Sequence, residues 1–131
     1  MKWLYNLLKN NNEEYFEDFS IISTDIHSHL IPSIDDGAKD LETSINIIKK
    51  LSDLGFKKII TTPHVMSDLY RNDSKTILNG LKVLQQEVVK QKININLSAA
   101  AEYYVDYEFV QNIGNHDFLT LGNNFLLIEH S

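Results

Sequence analysis

An α/β fold with a parallel sheet is predicted for this chain, on three observations. Short apolar runs rich in β-branched residues alternate with longer stretches of helical period. The short runs are mostly continuous rather than alternating, as strands covered on both faces are. Polar residues suited to chemistry collect just after those runs, and parallel α/β folds carry their sites at the carboxyl ends of strands.

The elements follow in order. Residues 1–18, "MKWLYNLLKNNNEEYFED", read as an N-terminal extension whose first dozen residues could form a short amphipathic helix. "FSIIST" (19–24) reads as the first strand. In "DLETSINIIKKLSDLG" (40–55), apolar residues fall at 41, 45, 48, 51 and 54, the spacing of one helix face. Asp40 suits its N-cap, Glu42 its first turn, and Gly55 its end. "FKKIITTPH" (56–64) is the second strand, closed by Pro63. "NDSKTILNGLKVLQQEVVKQK" (72–92) is the second helix, with its apolar face at 77, 81, 84 and 88. Gly80 inside it costs about 1 kcal/mol against alanine. "ININLSAAAEYY" (93–104) is the third strand, "DYEFVQNIGN" (106–115) a short helix, and "NFLLIEH" the fourth strand. The order β-α-β-α-β-α-β calls for right-handed crossovers between parallel strands. Residues 19–131 form one domain, with no repeat, linker or low-complexity tract.

Composition narrows the function classes. The chain has 131 residues, 43% of them hydrophobic, enough for one core. Its net charge of −6 without a Lys/Arg cluster argues against nucleic acid as a partner. There is no cysteine, hence neither a disulfide framework nor a thiolate zinc site, which fits a reducing cytoplasm. No run approaches the length of a membrane span, and the opening is too short for a signal-peptide core.

"TDIHSHLIPSIDDGAKD" (24–40) packs two histidines and four aspartates into a stretch that begins where the first strand ends. His27 and His29 are spaced i, i+2, so an extended backbone turns both to one side, where they can grip a metal ion. His64 follows the second strand, Glu102 the third, and Glu129 with His130 the fourth. A buried glutamate behind three alanines needs a partner, and metal satisfies it. Of Asp35 and Asp36, Asp36 is expected to return as a hard ligand, leaving Asp35 to support or turn the loop. The plain reading of an Asp-Asp-Gly is a turn, and of a lone His-x-His a structural pair. Four strand ends converging on one rim favour a metal centre. Ligands of this kind suit manganese, iron or zinc. Several ions in one cleft point to metal-assisted hydrolysis, often of a phosphate ester. Arg71, in the loop after His64, could touch a phosphate, although a surface arginine is the simpler reading. His116 and His130 read as background, and Ser28 lacks the partners of a nucleophile.

"DIHSHLIPSIDDGA", "ITTPH" and "AAEYY" together resemble the polymerase-and-histidinol-phosphatase (PHP) superfamily, most closely its bacterial tyrosine-phosphatase branch of the CpsB/CapC type. The resemblance spans residues 25 to about 130. It departs from the branch at Ser33, where glycine is usual. It implies that the chain is the first four βα units of a distorted (β/α)7 TIM-like barrel with a site for up to three divalent ions, manganese first among them. It implies metal roles for His27, His29, Asp36, His64 and Glu102, with Glu102 bridging two ions and a metal-activated hydroxide attacking. The implied substrate is a phosphotyrosine protein, a bacterial tyrosine kinase of capsular or exopolysaccharide export. The branch's later motifs have no counterpart here. The remaining ligands, the phosphate-holding arginines and the catalytic groups are therefore expected in a missing C-terminal half, and the fragment alone is expected to be inactive. Rival readings are another PHP phosphoesterase such as a histidinol-phosphate phosphatase, an amidohydrolase, and an inactive metal-binding module.

Overall fold

In the computed structural model, which describes residues 19–114 and 117–130, all strand pairing between named strands is parallel. The elements are β1 (Thr24–Ser28), α1 (Leu41–Asp53), β2 (Lys58–Thr61), β3 (His64–Val65), α2 (Ser74–Lys90), β4 (Asn96–Ala99), β5 (Glu102–Tyr104), α3 (Tyr107–Asn112) and β6 (Leu127–Glu129). They form two three-stranded sheets, ordered β1-β2-β4 and β3-β5-β6. The mixed α/β class with parallel strands is as expected. The N-terminal extension, with its expected helix, and His116 lie outside the described residues.

All four strands differ from expectation, the fourth only in being shorter, Leu127–Glu129 within "NFLLIEH". "FSIIST" is a turn: Ile21 is 95% exposed, and Ser23 sits at φ 54. Among the described residues, the β-branched run has no neighbouring strand there, so pairing begins only at Thr24, opposite Lys58. The second and third expected strands each break in two. Pro63 has no N–H to give to the ladder, and the chain kinks at Thr62–Pro63. The partner strand bends with it at Ala100–Ala101. Two bonds carry the pairing through the bend: Ala100 N–H to Thr61 O (2.9 Å) and Glu102 N–H to Pro63 O (3.0 Å).

Both long helices begin where a side chain caps them. Asp40 accepts from Thr43 N–H and Asp73 from Thr76 N–H, each at 2.7 Å. The face at 77, 81, 84 and 88 is the one α2 buries. With Ile45, Ile48, Ile59 and Leu97 it forms the core between helices and sheet. Gly80 has a packing reason: a Cβ there would collide with Cγ2 of Ile31, which is 1% exposed. The helix gives up propensity to let the loop after β1 press against it.

Candidate metal centre

The site is built at the carboxyl ends of β1, β2/β3, β4/β5 and β6. Register first brings His64 opposite Glu102, and Glu102 opposite Leu127, so that β6 presents Glu129 at the same rim. β1 contributes through an irregularity. From Asp25 to Ser28 it advances three residues while β2 advances from Ile59 to Thr61, two. Such a bulge re-aims side chains. It leaves His27 half exposed above the rim and His29 just past the strand.

The Asp-Asp-Gly loop then folds back over His29. Ala38 N–H donates to His29 O (3.0 Å), and a Cβ at position 37 would collide with His29, so only glycine allows this approach. Ser33 enters the loop at φ 62, in the left-handed region that favours glycine. Its Oγ donates to Lys39 O at 2.6 Å, tying the two ends of the loop.

The two aspartates take different tasks. Asp35 is the buried one. Its Oδ2 lies 2.8 Å from His29 Nδ1 and accepts from His64 N–H (3.0 Å), while Oδ1 accepts from Gly37 N–H (3.0 Å). Burial pushes the Asp35 carboxyl up, but the bonds from His29, Gly37 and His64 outweigh it and hold it below the ordinary range. The bond to Asp35 raises the His29 pKa against the opposing effect of burial. Asp36 is exposed, with Oδ1 3.5 Å from His64 Nε2.

His27 and His29 are each held on one side and offered on the other, and His64 is not. His27 Nδ1 lies 2.9 Å from Thr62 Oγ1, leaving Nε2 toward Glu102 Oε1 (3.8 Å). His29 Nδ1 is engaged by Asp35, leaving Nε2 toward Glu102 Oε2 (3.4 Å). His64 Nδ1 is buried without a hydrogen-bond partner, 3.2 Å from Glu102 Oε2 and 3.5 Å from Glu129 Oε2. Among the described residues, none of these carboxylates pairs with a lysine or arginine.

Three overlapping sets of ligand atoms result, each within 4.8 Å: His27, His29 and Glu102; His29, Asp36 and His64; His64, Glu102 and Glu129. The residues fit divalent ions. The donors are imidazole nitrogen and carboxylate oxygen without thiolate, and an orphaned buried imidazole nitrogen faces two carboxylates. All five residues expected as ligands meet at this rim. Glu129 joins them, although its short strand end in the sequence marked only its position. Arg71 is exposed in the loop after β3, next to Tyr70, whose ring stacks on His64 at 5.6 Å. His130 belongs to none of the three sets.

Known proteins resemble this chain over most of its length. A family model described as capsular polysaccharide synthesis, CpsB/CapC, matches residues 23–131. The chain is similar to the tyrosine-protein phosphatase YwqE of Bacillus subtilis, with 29% identity over 80% of this chain and 42% of YwqE. It is also similar to the putative tyrosine-protein phosphatase CapC of Staphylococcus aureus (27% identity, 80% and 42% covered). For the tyrosine-protein phosphatase CpsB of Streptococcus agalactiae the identity is 28%, with 82% and 44% covered. Among solved structures, it resembles one from a study of YwqE from B. subtilis and CpsB from Streptococcus pneumoniae, described as unique metal-dependent tyrosine phosphatases. The TM-score is 0.74 at 28% identity, over 82% of this chain and 44% of that one. The chain thus spans less than half the length of the relatives it matches.

Proposed function

The chain belongs to the CpsB/CapC family of capsular polysaccharide synthesis, and on that premise we propose that it forms part of a metal-dependent protein-tyrosine phosphatase. It supplies the first four βα units of a TIM-like barrel, residues 19–131, with residues 1–18 as an extension. One observation carries the reading. Glu102, 8% exposed, is surrounded by the ring nitrogens of His27, His29 and His64 and no fixed cation among the described residues.

His27, His29, Asp36, His64 and Glu102 hold up to three divalent ions, manganese first and iron or zinc as alternatives, with Glu102 shared. When bound, the ions supply Lewis-acid activation of the attacking water and neutralise charge on the phosphoryl oxygens. The protein's own part is to fix the ligands. Thr62 and Asp35 orient two imidazoles, and the buried carboxylate of Glu102 sets the spacing between ligand groups. Asp36, exposed on the loop, would close the group it forms with His29 and His64 from the solvent side. Arg71, exposed in the loop after β3, is assigned here to meet the phosphate. The remaining ligands and catalytic groups come from the half of the relatives that this chain does not match.

The substrate in this reading is a phosphotyrosine protein, a bacterial tyrosine kinase of polysaccharide export, and the chain itself works in the cytoplasm. No helix among the described residues is long and apolar enough to cross a membrane. The test uses the intact protein purified with its metals. Phosphotyrosine peptide should be hydrolysed with manganese, and hydrolysis should stop with chelator and return on adding the metal. Histidinol phosphate serves as the competing substrate. Turnover that survives exhaustive chelation, or that prefers histidinol phosphate, would overturn the reading. Replacing both His27 and His29 by alanine should also deplete the metal found by elemental analysis.

A further inference from the structure

The loop between β3 and α2 leaves the site at His64 and comes straight back to it. Met66 N–H and Asn72 N–H both donate to Tyr70 O, at 2.8 and 2.7 Å. That closure presents the Tyr70 ring to the face of His64 and brings the Asn72 side chain beneath the rim. The Asn72 amide has two N–H donors. Nδ2 lies 2.8 Å from His64 O and 2.9 Å from Ile34 O, so both donors are used, each on a backbone carbonyl. Ile34 directly precedes the Asp-Asp pair.

From this geometry we propose that Asn72 is a positioning residue: its carboxamide joins the His64 strand end to the Asp35–Asp36 loop and thereby sets the ligand group formed by His29, Asp36 and His64.

The backbone arithmetic supports it. β3 has two residues and pairs with β5 on one side. On its other side, the sheet's edge, no strand among the described residues holds His64. Asp35 Oδ2 takes the His64 N–H and Asn72 takes the His64 carbonyl, so two side chains replace the missing ladder. The His64 ring has no hydrogen bond of its own on Nδ1, unlike the rings of His27 and His29. Its position therefore depends on its backbone and on the Tyr70 stack more than theirs do. Asp36 shares the support of the same amide, because Ile34 lies two residues before it, on a loop also tied by Ala38 to His29 and by Ser33 to Lys39. The set of His27, His29 and Glu102 has no bond to Asn72. The link is thus selective: it reaches the two groups that contain His64 and leaves the group of His27, His29 and Glu102 alone.

The inference rests on the metal-centre reading, and the experiment separates the two. The intact protein, wild type, Asn72→Ala and Asn72→Asp, is stripped and titrated with manganese, reading equivalents bound and affinity for each, with thermal melting alongside. Asn72→Asp keeps the shape and loses both donors. Both variants should melt cooperatively, retain the ion held by His27, His29 and Glu102, and bind the equivalents that use His64 about 10–100-fold more weakly, the usual effect of losing a residue that supports a ligand. Wild-type affinity for every equivalent in either folded variant would overturn the inference and leave the centre standing. Loss of all equivalents together, or of cooperative melting in both variants, would overturn it too, by giving Asn72 a role in the whole fold. Failure of the wild type to bind manganese would sink the centre, and the inference with it.

Discussion

The stretch from β1 to β5 and the stretch from α3 to β6 are both βα architecture, yet they are held differently. In the first, α1 and α2 bury regular faces against the sheet, and Ile48, Ile59, Ile77 and Leu84 are 0% exposed. In the second, α3 buries no residue, and Phe125 and Ile128 are 75% and 52% exposed. Three histidines and Glu102 stand on the packed part, while Glu129 arrives on the lightly packed one. A ligand carried by packed elements has its position set by the core beneath it. Among the described residues, Glu129 is set by the pairing of β6 with β5 and by the Val105 N–H bond to its carbonyl.

The contrast can be broken most severely at Leu84. Leu84→Ala should cost about 2–5 kcal/mol, because it removes contacts in a filled core and leaves a cavity. Urea unfolding of the intact protein measures it, and a cost below about 1 kcal/mol would mean that this core is not the main support. Gly80→Ala comes next. Helix propensity alone favours alanine by about 1 kcal/mol, but the new methyl meets Ile31, and overpacking costs about 1–3 kcal/mol. Net destabilisation is expected, and Ile31→Ala, which removes the clashing Cγ2, should make the two changes together cost less than the sum of each alone. A stabilised Gly80→Ala would show that the loop after β1 can move away from α2.

Asp106 sharpens the comparison at the start of the weaker stretch. Its carboxylate accepts from Phe109 N–H (2.8 Å) and Ser67 N–H (3.0 Å), capping α3 and fastening it to the loop after His64. Asp106→Ala should cost about 1 kcal/mol. The Phe109 N–H first, and Ser67 with it, hold the carboxyl below its ordinary value. The sign follows. Since the folded pKa is the lower one, the stabilisation is full above the unfolded value of about 4 and fades as pH falls through the folded value. Asp106→Ala and the wild type should therefore converge in melting temperature on acidification, and a gap that widened would refute the assignment. The smallest effect belongs to Phe125→Ala, within about 0.5 kcal/mol for an exposed position. A larger loss in the intact protein would reveal that residues outside 19–130 cover it.

How much of this was legible beforehand depends on distance along the chain. Helix faces and caps are local: apolar spacing marks Ile77, Leu81, Leu84 and Val88, and Asp40 sits where a cap belongs. The convergence of His27, His29, His64 and Glu102 was also legible, since parallel strands carry their carboxyl ends to one rim. The first strand was not. β-branched residues favour a strand only when a neighbour is present to pair, and the run at 19–23 has none among the described residues.

By itself, then, the sequence determined the class of fold, the two long helices and the identity of the chemistry at the strand ends, because these follow from periodicity and from side-chain type. Tertiary structure alone decided the rest. It split the aspartate pair, burying Asp35 between His29 and His64 and leaving Asp36 exposed. It made Gly37 and Gly80 necessary, gave Thr62 to His27 and Asn72 to His64, and brought Glu129 within reach of His64. Each of those outcomes turns on which backbone lies alongside which. That is settled by the packing of segments far apart in sequence, where local propensity has no say.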